Sequence, residues 1–191
     1  MTTMRRRCTR IGIRAALASA LLVTAVASAA AQNEGNTIRF KGGIGVIPVS
    51  NGVQDNGTAT TAAVAPSVTR NIVRGVQPPG QIWVIDDLDA KVRADGRITV
   101  DGKGLVLGGG NNAGRSTGLF VFATLICEAA APFNESSTTL AGVQLSPTGN
   151  FRIDDKLAPV PPAICASPML LIRNAANAAW FAVGIFRPDN D

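Results

Sequence analysis

Five aspartates and three glycines crowd into residues 85–105, IDDLDAKVRADGRITVDGKGL. Carboxylates at this density can do two kinds of chemistry. Two of them can share acid–base work on a glycosidic bond, or several oxygens can surround a hard cation such as calcium. Other chemistries are missing. The chain has no histidine and no tyrosine. That removes Ser-His-Asp and Cys-His triads, histidine zinc ligands, and tyrosine nucleophiles or acids. Which aspartates could act together depends on the strands that carry them.

In LDAKVRA, Leu88, Ala90 and Val92 alternate with Asp89, Lys91 and Arg93; in RITVDG, Ile98 and Val100 are the apolar positions. A period of two marks strands buried on one face. The turn decides their register. A two-residue Asp95-Gly96 loop would set apolar residues opposite polar ones. A three-residue loop, Ala94-Asp95-Gly96, with Gly96 left-handed in a bulge, pairs Val92 with Ile98 and Ala90 with Val100. The polar face then becomes a ladder. Asp87 opposes Lys103, Asp89 opposes Asp101, Lys91 opposes Thr99, and Arg93 opposes Arg97.

Asp89 and Asp101 are thus the one place where two carboxylates are predicted to face each other. They are the candidate metal ligands, with Asp86 or Asp87 able to add an oxygen. Lys91 and Lys103 are the neighbours expected to neutralise them. No D-x-D-x-D-G loop with a distal glutamate accompanies them. The pair reads first as a solvated charged face, second as a calcium site, and third as a hydrolytic dyad. A dyad acting on polysaccharide would also need a sugar cleft, and two tryptophans are few for one. No catalytic residue is assigned, and no cofactor beyond possible calcium.

Other motifs carry less chemistry. Gly108-Gly109-Gly110 lacks the Gly-Lys-Ser/Thr and the following helix of a phosphate loop, and reads as a connector. Trp180, in AAWFAVGIF, reads as core. Trp83, in QIWVIDDL, is either core or a stacking platform, in a strand expected to bury Ile82 and Val84.

VQLSPTGNFRIDDKL repeats the turn device. Pro147-Thr148-Gly149 would be its loop, with Leu145 opposite Phe151 and Val143 opposite Ile153. Residues 118–127, 168–174 and 178–186 are apolar at nearly every position, as central strands buried on both faces would be. The last two read as a hairpin around residues 174–177. TIRFKGGIGVIPV, residues 37–49, starts as a strand and is expected to break at Gly42-Gly43. Residues 49–80, with a possible strand near 58–64, and residues 107–118 read as exposed loops. The sum is an all-β fold, a single-domain antiparallel β-sandwich of about eight strands, with a barrel as the alternative.

The N-terminus reads as an export signal. Arg5, Arg6, Arg7, Arg10 and Arg14 precede an apolar run at residues 15–26, and small residues follow, with cleavage expected after Ala31. The domain would then be residues 32–191. The full chain has 18 Lys+Arg and 13 Asp+Glu. Five arginines lie in the signal and none of the acids do, so the remainder balances at 13 and 13. Net basicity therefore gives no ground for a nucleic-acid partner. Two cysteines remain, Cys127 and Cys165. In an oxidising compartment they read as one disulfide. A secreted or periplasmic location is expected, with no membrane span after cleavage.

Taken together, IRFKGGIGVIPV, WVIDDLDAKVRADGRITVDGKGLVLGGG, the cysteine pair and LLIRN…WFAVGIF resemble a group of small secreted proteins of soil bacteria. The resemblance implies export and a compact fold, and no particular reaction. Pro48-Val49 followed by Gly57-Thr58-Ala59 is similar to the opening of the CHRD domain, a β-rich secreted module whose histidine-containing segment is absent here. The functional expectation is a non-enzymatic structural or interaction module, with an unidentified protein or glycan as partner and residues 49–80 and 107–118 as contact surface. The alternatives are a carboxylate-based polysaccharide hydrolase and a calcium-stabilised carbohydrate-binding module.

Overall fold

The computed structural model describes residues 37–51 and 68–188. They belong to the second of two units into which the chain divides, Met1–Asn33 and Glu34–Asp191. The segment read as an export signal and the strand expected near residues 58–64 lie outside the described residues.

The described elements are strands: β1 (Ile38–Gly45), β2 (Val49–Asn51), β3 (Val68–Arg70), β4 (Trp83–Val84), β5 (Asp87–Val92), β6 (Arg97–Lys103), β7 (Val106–Leu107), β8 (Phe120–Ile126), β9 (Glu135–Ser137), β10 (Val143–Gln144), β11 (Phe151–Lys156), β12 (Met169–Asn174) and β13 (Trp180–Arg187). The all-β antiparallel expectation holds. The main sheet runs β10-β8-β12-β13-β1-β5-β6-β11, with β9 also paired to β8. β2–β3 and β4–β7 form two small sheets. Among the described residues no helix is long and apolar enough to cross a membrane.

The main sheet curls nearly into a barrel. Its two end strands, β10 and β11, follow one another in the chain. At one end of their seam Ser146 N–H donates to Asn150 O at 2.9 Å. At the other, Ser137 and Ala158 exchange backbone hydrogen bonds of 3.0 and 2.8 Å.

Alternation builds the interior. Phe40, Leu88, Ala90, Val92, Ile98, Val100 and Ile153 point inward from β1, β5, β6 and β11 and are buried, while their polar neighbours are more exposed. β8, β12 and the first half of β13 are buried on both faces, which is why they read as unbroken apolar runs. Ala123, Ile172 and Ala182 share one face by register; Thr124 and Leu171 share the other. Residues 71–84 cover the second face. Trp83 stacks on Phe181, with ring centroids 4.1 Å apart and planes at 13°. Trp180 Nε1 donates to Asn71 O at 3.0 Å. Arg74 donates to the carbonyls of Ile126 and Ser167.

The first hairpin has the expected register throughout. Val92 pairs with Ile98, Ala90 with Val100, Asp89 with Asp101 and Asp87 with Lys103. Gly96 takes φ +84° and donates to Arg93 O at 2.9 Å. Four other expectations are corrected. β1 does not break at Gly42-Gly43: it continues, absorbing them in a bulge against β13 with Gly42 at φ +84°. In β4 the phase is inverted. Trp83 is buried, and Ile82 and Val84 face solvent, because the large ring fills the space over Phe181. The second hairpin keeps its turn, with Gly149 at φ +80°, but not its ladder. β10 pairs with β8 and β11 with β6 instead, because both strands find longer partners inside the main sheet. Within the 107–118 loop, Val106–Leu107 forms a strand with β4. The Cys127–Cys165 disulfide is present and ties the proline-rich loop to the end of β8.

Candidate functional site

The sequence points to the row containing Asp89 and Asp101. Register extends this row over four strands: Lys41 of β1, Asp89 of β5, Asp101 of β6 and Arg152 of β11. Lys41 Nζ lies 2.8 Å from Asp89 Oδ2. Arg152 Nη1 donates to both Asp101 oxygens, at 2.7 and 2.8 Å. Asp89 and its hydrogen bond hold Lys41 above the ordinary lysine range. The two acids therefore stand side by side, each tied to a cation on its outer flank, and both pairs are substantially open to solvent. Among the described residues no three histidine, cysteine or acidic side chains cluster as metal ligands.

The cations named from sequence, Lys91 and Lys103, are not the ones that engage this pair. Lys41 and Arg152 do so from strands that are remote in the chain. Their only sequence signal is that both sit at polar positions of alternating strands. Asp87 keeps its expected place opposite Lys103.

The glycine loop is tightly tied. Gly114 N–H donates to Leu107 O at 2.8 Å, and Leu107 N–H to Arg115 O at 3.0 Å. Ala113 and Arg115 N–H groups also bond within the loop. Gly108 N–H donates to Ile82 O at 2.8 Å, so these contacts fix the loop to itself and to the segment beside it. The loop then packs against the β10–β11 turn. Ser116 is buried, and its hydroxyl donates to Ser146 O at 2.6 Å.

Between these two segments lies a groove of about 750 Å³. Arg115, Thr117, Gln144, Ser146, Asn150 and Arg152 line it, over Leu145 and Phe151, and no carboxylate lines it. Arg152 is also the end of the charged row. The opposite end, Lys41, lines a second groove of about 400 Å³. Neither tryptophan serves as an exposed platform, since both are 3% exposed. No family model, no curated protein and no solved structure matches this chain.

Proposed function

We propose that this protein is an exported, non-enzymatic binding module that takes a glycan in the groove between residues 107–118 and the β10–β11 turn. The observation that carries this reading is the groove itself. A hydrogen-bonded loop and a hydrogen-bonded turn face each other across it, and their rim offers amides, hydroxyls and two guanidinium groups. Such a rim suits a hydroxyl-rich chain better than an apolar peptide. The paired state of Asp89 and Asp101 supports binding over hydrolysis, because each carboxylate already has a cation. Export is supported by the arginine-rich and apolar N-terminal segments and agrees with the disulfide.

The test is a glycan array, with a protein pull-down in parallel, using the chain and an Arg115→Ala/Gln144→Ala variant, in which two lining side chains of the groove are removed. Glycan binding that disappears in the variant, with folding retained by circular dichroism, is the expected result. Binding that survives both substitutions would sink the groove assignment, and capture of a protein without any glycan signal would overturn the ligand class.

A further inference from the structure

The solvent face of β13, β1 and β5 carries a row of like charges. Register sets Arg187 beside Arg39, and Arg39 beside Lys91. Strands in a sheet lie about 4.8 Å apart, so three cations stand in line over roughly twice that distance. Lys41 follows on the next outward position of β1. Like charges placed directly opposite repel one another. Asp89 is the acid in the groove over these residues, and it is already held by Lys41 at 2.8 Å. Lys91 and Arg187 form no ion pair with any described residue.

The groove is a shallow trough of about 400 Å³ that runs over side chains from successive strands. A trough of that kind suits an extended ligand carrying several anionic groups. The one aromatic lining it, Phe40, is 1% exposed, so it offers no surface on which a base could stack. We propose that Lys91 and Arg187, on either side of Arg39, bind the carboxylate or sulfate groups of an acidic polysaccharide lying across the strands. This goes beyond the glycan groove above and does not rest on it. The two sites sit at opposite ends of the Lys41–Arg152 row and use different residues.

The experiment compares wild type, Lys91→Gln/Arg187→Gln and the control Lys103→Gln/Lys156→Gln, all with the same N-terminus, on immobilised dextran sulfate, polygalacturonate and neutral dextran. Both double variants lose two positive charges, so only position distinguishes them. Wild type and control are expected to bind an acidic polymer. The Lys91/Arg187 variant is expected to bind roughly ten- to thirty-fold more weakly and with less dependence on salt. Equal binding by all three proteins would overturn the proposal, as would equal loss in both variants, which would reflect net charge alone. Preference for neutral dextran, or binding to phosphatidylglycerol vesicles with none to the acidic polymers, would overturn it too. A melting temperature measured for each variant excludes unfolding as the cause of any loss.

Discussion

Asp155 shows how a surface carboxylate serves this fold. Its Oδ2 accepts the backbone N–H of Thr139 at 2.8 Å, and its Oδ1 accepts that of Lys156 at 2.7 Å. The Thr139 bond is the main cause that holds this carboxyl below the ordinary aspartate range. A folded value below the unfolded one means that the charged form favours folding. The stability it contributes is complete above the unfolded value, about 4, and is lost as pH falls through the lower folded value. Asp155→Asn is expected to cost about 1 kcal/mol at pH 7, a modest figure because solvent screens the site. The difference from wild type should shrink as pH falls below about 4. Urea unfolding at pH 7, 5 and 3 measures this, and a gap of constant size would rule out charge as its origin. At this scale legibility followed chain distance. Asp89 opposite Asp101 depends on one local hairpin, so the strand period and one turn sufficed to find it. Lys41, Arg152 and the Asp155–Thr139 contact depend on pairings between remote segments, which alternation alone cannot select.

Two turns with the same chemistry sit in unlike surroundings. Gly96 and Gly149 both take positive φ at the end of a three-residue loop. A Cβ on Gly96 would meet ordinary neighbours, the nearest being Leu157 O at 3.4 Å, whereas a Cβ on Gly149 would collide with the backbone of Leu105. Gly96→Ala is therefore expected to cost about 1–2 kcal/mol, the strain of a left-handed residue. Gly149→Ala adds a backbone displacement and should cost about 3 kcal/mol or more. Equal losses in chemical denaturation would contradict this distinction. The turns themselves were legible because glycine and loop length constrain them locally. The fate of the strands beyond the second turn was not, since β10 and β11 leave one another for β8 and β6. The inverted phase of β4 has a similar cause. A two-residue strand has too short a period to outweigh the volume of one indole.

For the molecule as a whole, both-face burial of β8, β12 and the first half of β13 was written in their apolar runs. Closure of the main sheet was not, because its seam rests on contacts between segments apart in the chain, the bridge of Ser137 with Ala158 and the pairings of β10 with β8 and β11 with β6. The disulfide acts at this scale. It closes a loop with a separation of 38 residues, which restricts the unfolded chain by about 4 kcal/mol in the loop-entropy account. Cys127→Ala/Cys165→Ala is expected to lower the melting temperature by on the order of 10 °C. Calorimetry of this variant beside wild type reads the shift. An unchanged midpoint would assign the anchoring of the proline-rich loop to Ser167, which bonds both Cys127 O and Arg74.

The place of β1 has a consequence in time. It lies in the middle of the main sheet, between β5 and β13, so the first and last described strands are neighbours. Until β13 has emerged from the ribosome, β1 lacks one flank, and β1-β5-β6-β11 meets β10-β8-β12 only along the β10–β11 seam. Contacts between such distant segments slow folding, because a long loop must close before they form. The sheet is therefore completed only once its last strand has been made, and a chain cut short before β13 is left with two unpaired strand edges, on β1 and on β12.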